Sequence, residues 1–171
     1  MNDVDPVDLM SDDEVEEKLH RPRLARQLMY VATNSGFYRE KLIQAGVDPL
    51  GSAADIDQFQ NWPFTTKAEI LDEQIRYPPF GRLTACRQDI IRVHMTSGTT
   101  GRPFYIALTA ADVAANIESG RRAFLCAGMA PGDLVVHCLN YCLWAGGLTD
   151  HLSLEATQAS VIPFGVGHTK R

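Results

Sequence analysis

Between two apolar runs the chain carries a stretch that neither a helix nor a strand accommodates: IRVHMTSGTTGRPFYIAL, residues 91–108. Thr96-Ser97-Gly98-Thr99-Thr100-Gly101 packs two glycines and four hydroxyl side chains into six residues, and Arg102-Pro103 follow. Such residues break regular structure, so the flanks read as separate strands, Ile90 to Met95 and Phe104 to Leu108. A plain hairpin needs only about two to five loop residues. A longer loop of this composition has the makings of an anion cradle. Glycine takes φ > 0 and lets backbone N–H groups turn inward around a phosphate, while Ser and Thr add donors without charge. Arg102 adds a positive charge beside them. The spacing is not that of the Walker loop, because G-x-x-x-x-G-K-[ST] fails from Gly98 and from Gly101. It is not a serine nucleophile elbow either, since Met95 and Thr96 precede Ser97. On the residues alone two readings stand, a phosphate-binding loop and a surface hairpin rich in turn residues.

The rest of the chain falls into two grammars. Up to about residue 85 short helical patterns follow one another. Ser11 caps an acidic turn, and Pro22 suits the start of a helix whose Leu24, Leu28, Val31 and Ala32 recur at helical spacing before Asn34-Ser35-Gly36. Phe37 to Ala45 is a second helix closed by Gly46, and Ser52 to Phe59 a single turn. Thr66-x-x-Glu69 is a capping box for a helix from Lys67 to about Ile75, stopped by Tyr77-Pro78-Pro79. No strand is expected there. After residue 85, strand and helix alternate. Thr109 with Asp112 caps a long helix ending at Gly128, Leu134 to Leu139 has the composition of a buried parallel strand, Gly147 to Gln158 is helical, and Ser160 to Phe164 is the next strand. The expected fold class is α/β, a helical segment over 1–85 followed by strand-helix-strand units of a parallel sheet over 86–171.

With 171 residues, 45% hydrophobic and 22% charged, the chain has ordinary globular composition. Its net charge of −5 argues against nucleic acid as a partner. No apolar run reaches the roughly 18–20 residues that cross a bilayer. The acidic start, MNDVDPVDLMSDDEVEE, is unlike a secretory or transit peptide, so a cytoplasmic location is expected. Cys86, Cys126, Cys138 and Cys142 match no zinc spacing; grouping Cys138 and Cys142 with His137 as a metal site is much weaker than reading them as small residues on a strand and turn. No metal ligands are expected.

The loop also carries a resemblance. TSGTTGRP resembles the phosphate-loop signature of the adenylate-forming superfamily, and NSGFYREKLIQAGVDP, WPFTTKAEIL, YPPFGRL and IIRVHMTSGTTGRP, in that order, are similar to the opening half of phenylacetate–CoA ligases. The resemblance runs from about Ala25 to the end of the chain. It implies a two-step reaction: a carboxylate attacks the α-phosphate of ATP to give an acyl-adenylate and pyrophosphate, and coenzyme A then displaces AMP. It implies Mg2+ with the ATP, and a phosphate cradle made of Ser97, Gly98, Thr99, Thr100, Gly101 and Arg102, the arginine standing where the family usually has lysine.

The same resemblance places an acid-binding segment at LNYCLWAGG, Leu139 to Gly147, where the family reads roughly Tyr-Gly-Tyr-Gly-Leu-Phe-Thr-Gly-Gly. Asn140, Tyr141, Trp144, Gly146 and Gly147 are the candidate substrate residues. Trp144 would fill space and Asn140 offer a hydrogen bond, which points to a smaller or hydroxylated acid; an aromatic cluster supporting the sheet is the alternative. His168 replaces a family asparagine and, near a loop, could contact substrate or a phosphate, a plain surface histidine being the stronger reading; His94, on a strand just before the loop, is a comparable case. His151 reads as structural. The catalytic residues are not identified. The family's later adenine, ribose and C-terminal lysine elements are not found by Arg171, so the chain is expected to be the first part of a ligase, inactive alone, completed by the remainder of that enzyme and prone to self-association through an unpaired sheet edge. An enzyme passing the acyl group to an amine or a carrier-protein thiol, and a non-catalytic ATP-binding or assembly module, remain as alternatives.

Overall fold

The computed structural model describes residues 6–48, 59, 62–84, 87–96, 98 and 102–167. The chain divides into two compact units, Met1–Ala85 and Cys86–Arg171.

Among the described residues of the first unit there are helices and no strands. Ser11 caps α1 (Asp12–Val15) through a reciprocal box with Glu14, whose carboxylate accepts the Ser11 N–H at 3.2 Å. One wider turn leads into α2 (Arg21–Asn34), with proline at its start. Ser35 ends α2 and begins α3 (Gly36–Gln44), its hydroxyl accepting the Tyr38 N–H and donating to the Arg82 carbonyl at 2.9 Å. Leu28, Ala32 and Leu42 form the buried centre, with Val47 and Trp62 packed on it. The Thr66–Glu69 box opens α4 (Lys67–Arg76) as its spacing requires. The expected turn at Ser52 to Phe59 lies, but for Phe59, outside the described residues.

One ion pair organises the end of this unit. Glu73 is 5% exposed and takes the backbone N–H of Arg82 at 3.0 Å and its guanidinium at 2.7 and 3.2 Å. Arg82 also reaches Glu40 at 3.0 Å and lies over the Tyr77 ring. Gly81 makes this possible: its φ is +70°, and a Cβ there would press on the Glu73 side chain.

In the second unit, β1 (Ile90–Met95) and β2 (Tyr105–Thr109) form an antiparallel hairpin with Val93 opposite Ala107 and Met95 opposite Tyr105. Thr109 caps α5 (Ala110–Cys126) in a box with Asp112. There follow β3 (Leu134–Val136), α6 (Ala145–Glu155) and β4 (Ser160–Ile162), with β3 and β4 parallel and Val135 opposite Val161. The two long helices meet where Gly120 faces the buried Ser153; a Cβ on Gly120 would overlap the serine side chain.

The α/β character is as expected, but among the described residues the parallel pairing is confined to β3 and β4. The chain between β1 and β2 is too short for a crossover, so those strands pair antiparallel. β3 and β4 are shorter than the sequence suggests. After Ile162 the Phe164 N–H bonds back to the Ile162 carbonyl and Gly165 turns the chain at φ +71°. The run from Leu134 is also less buried than its composition implies: Leu134 and Val136 are 70% and 54% exposed, because none of the described elements covers that face of the two-stranded sheet.

The first unit should be acid-sensitive. Hydrogen bonds from Arg82 lower the Glu73 pKa against the opposing effect of burial, and the Lys41 ammonium, with the Thr66 amide and hydroxyl, holds Glu69 at about 2 instead of 4.5. Both carboxylates are more acidic folded than unfolded, so what they contribute is complete above about 4.5 and is lost as pH falls from there toward 2. Circular dichroism against pH should show that loss, and Glu73→Ala should cost about 1–2 kcal/mol in denaturant melts near neutrality, because Arg82 loses its charge-assisted hydrogen bonds to the buried carboxylate while its guanidinium stays partly solvated and paired with Glu40.

Candidate phosphate loop and acid-binding segment

The candidate loop hangs from β1 and β2 at a pinched neck. Thr96 donates its N–H to the Phe104 carbonyl at 3.1 Å, and its hydroxyl accepts the Phe104 N–H at 3.2 Å. Beyond the neck Gly98 has φ +67°, the left-handed conformation that an anion-cradling turn requires and glycine adopts without steric cost. Arg102 is exposed at the far side of the loop. Ser97, Thr99, Thr100 and Gly101 lie outside the described residues.

The acid-binding segment is tied to the same hairpin through one backbone oxygen. The Leu143 carbonyl accepts the Met95 N–H at 2.9 Å and faces His94 Nδ1 at 3.3 Å. A carbonyl can only accept, so the His94 proton resides on Nδ1. Leu143 holds this position with φ +27°, an uncommon conformation for a branched side chain and a local strain that the two bonds offset. His94 is 4% exposed, and its Nε2 has no partner among the described residues.

The five candidate acid-site residues run from the turn before α6 into the first turn of that helix. Asn140 spends its side-chain oxygen on the Cys142 N–H at 2.9 Å, which fixes the turn. Trp144, half exposed, sits at the N-cap position of α6, and its N–H donates to the Cys142 carbonyl. Gly147 lies so close to the Asn140 carbonyl that any Cβ would overlap it. At Gly146 a Cβ would meet only ordinary contacts, at 3.8 Å from Leu139 and Trp144. The Tyr141 hydroxyl lies between two imidazoles, 2.7 Å from His137 Nδ1 and 3.0 Å from His151 Nδ1, and His151 Nε2 is 3.1 Å from Glu155. Burial, together with the charges of Glu155 and Cys138, raises the pKa of the Tyr141 phenol.

Sequence reasoning treated His151 as structural, favoured a functionless strand histidine over a ligand contact at His94, and weighed His137 only as a metal ligand. The structure places all three against the acid-binding segment, with Glu155 behind His151. The available signal was a pair of four-residue spacings, 137 to 141 and 151 to 155, the second lying on one helix face. His168 lies outside the described residues. Among the described residues no cluster of three or more His, Cys, Asp or Glu could hold a metal ion, and Cys126, Cys138 and Cys142 are free thiols.

Similarity to known proteins extends along nearly the whole chain. A phenylacetate-coenzyme A ligase of Thermus thermophilus is 36% identical over 153 residues, which make up 90% of this chain and 33% of that protein. This chain matches the N-terminal portion of phenylacetate–CoA ligases. The ligases of Aromatoleum evansii and Escherichia coli are each 32% identical, over 99% and 98% of the chain. No family profile matches. Among solved structures, a 2-hydroxyisobutyryl-CoA ligase in complex with 2-HIB-AMP and CoA superposes with a TM-score of 0.86 at 29% identity, over 99% of this chain and 37% of that one. A postadenylation-state structure of the same ligase gives 0.84 over 94% of the chain. The chain spans about a third of the length of these relatives.

The contact at Gly147 is open to direct test. Gly147→Ala should destabilise the second unit by about 1–3 kcal/mol, because helix and turn must separate to admit a methyl group, whereas Gly146→Ala should be nearly neutral. Denaturant melts of the two variants against the parent chain measure the difference.

Proposed function

We propose that this chain supplies the pyrophosphate cradle and part of the acid pocket of a cytoplasmic carboxylate–CoA ligase. The complete enzyme joins an organic acid to ATP, forming an acyl-adenylate and releasing pyrophosphate, and then transfers the acyl group to coenzyme A with release of AMP. The observation that carries this reading is the Leu143 carbonyl, which ties the strand leading into the glycine-hydroxyl loop to the turn bearing the candidate acid residues. A reaction between a carboxylate and the α-phosphate needs those two segments side by side, since holding reactants in register accounts for much of such a rate enhancement.

The residues present suit a nucleotide. Gly98 is already left-handed and Thr96 closes the neck; the cradle read from the sequence, Ser97, Gly98, Thr99, Thr100 and Gly101, would offer backbone and hydroxyl donors to the β- and γ-phosphates. Arg102 supplies charge beside them. ATP when bound provides the electrophilic phosphorus, and this chain's residues stabilise charge on the departing pyrophosphate. Mg2+ would be carried largely by the phosphates, in keeping with its preference for phosphate and water oxygens. The acid is a small or hydroxylated carboxylate: Trp144 takes up space at the head of α6, and the turn is held close by Gly147. The partners are therefore the acid, ATP, coenzyme A and the remainder of the ligase, which would cover the exposed face of Leu134 and Val136.

Two outcomes follow. Ser97→Ala and Thr100→Ala in the enzyme carrying this chain should slow ATP–pyrophosphate exchange by about 10–100-fold with little change in the KM for coenzyme A, and unaltered exchange would refute the cradle. The 171-residue chain alone should self-associate through its open sheet face, and Leu134→Lys with Val136→Lys should shift it toward monomer in sedimentation velocity.

A further inference from the structure

The side chains running from Glu155 to His137 form a hydrogen-bond chain with a single direction. Its outer end, the Glu155 carboxylate, can only accept, so His151 Nε2 carries the proton across 3.1 Å. A neutral His151 then offers a bare Nδ1, and Tyr141 donates its hydroxyl to it across 3.0 Å. The Tyr141 oxygen is left to accept the His137 Nδ1 proton across 2.7 Å. The raised pKa of the phenol keeps the hydroxyl a donor. His137 Nε2 is consequently a lone pair.

That lone pair is buried. His137 is 6% exposed, and its Nε2 has no hydrogen-bond partner among the described residues. A polar atom in this state is costly, and native structures keep one where something else supplies the partner. The position suits a ligand. His137 directly follows β3, its N–H donating to the Ile162 carbonyl at 2.9 Å and its carbonyl accepting from Gly165 at 3.0 Å. It therefore stands at the carboxyl ends of the parallel pair, where α/β sheets bind their ligands. Its partner Tyr141 belongs to the candidate acid-binding turn.

We propose that Glu155, His151 and Tyr141 act in series to hold His137 in the tautomer whose buried Nε2 accepts a hydrogen bond from a hydroxyl or N–H group of the bound ligand. Glu155, His151 and Tyr141 are positioning residues, and His137 is the group that touches the ligand. The inference rests on the ligase reading for its ligand and on the geometry alone for its tautomer. The donor is either the hydroxyl of a hydroxylated acid or a donor of the nucleotide.

Nitrogen-15 NMR of the labelled chain reads the tautomer. The expected result is an unprotonated Nε2 and a protonated Nδ1 on His137, a preference that Tyr141→Phe weakens; a protonated Nε2 in the parent chain overturns the proposal. In the enzyme carrying this chain, kcat/KM is then compared for 2-hydroxyisobutyrate and isobutyrate, together with the KM for ATP. His137→Phe should lower the preference for the hydroxylated acid by about tenfold if the acid is the donor, or raise the KM for ATP by a similar factor if the nucleotide is. His137→Gln, which keeps an acceptor oxygen at similar reach, should recover most of either loss. If His137→Phe changes neither quantity, the proposal is overturned and a buried water is the partner. If the parent enzyme ligates neither these acids nor phenylacetate, the ligase reading falls, and the tautomer measurement alone decides for or against the relay.

Discussion

The second unit turns on a single backbone oxygen. The Leu143 carbonyl receives the last amide of β1 and faces the imidazole of His94, and it can do so only because Leu143 takes a left-handed backbone conformation. Two segments far apart in sequence, the end of β1 and the turn before α6, become neighbours through that group.

The surroundings hold the junction rigid by close approach. Gly147 lets α6 start against the Asn140 carbonyl, and Gly120 lets α5 settle on Ser153 further along the same helix. Neither position has room for a Cβ. The turn that bears Asn140, Tyr141 and Trp144 is thus anchored on one side by α6 and on the other by β1. The first unit follows different physics. Its helices are short and its apolar centre small, and much of its order comes from Glu73 and Arg82, whose bonds join α4, the segment after it and, through Glu40, α3.

Helix boundaries were legible wherever a cap wrote them. Ser11, Thr66 and Thr109 read as caps in the sequence, and in the structure each closes a capping box, with Glu14, Glu69 and Asp112, because side chain and backbone lie within one turn of each other. The strand ends after β3 and β4 were less legible, since composition is silent on where a neighbour stops pairing. The open face of Leu134 and Val136 was misread for the same reason: a β-branched run reports that it can be buried, not what buries it.

The sequence by itself determined the order of elements, the glycine-hydroxyl loop with its arginine, and the likeness to phenylacetate–CoA ligases, because these reside in local spacing and in motifs that follow one another along the chain. The tertiary structure alone decided the antiparallel pairing of the loop's flanks, the junction at Leu143 and the chain of side chains from Glu155 to His137. Those depend on groups distant in sequence meeting at hydrogen-bonding distance. The tautomer of a buried histidine, in particular, is set by whichever atom its Nδ1 faces, and no spacing rule states that in advance.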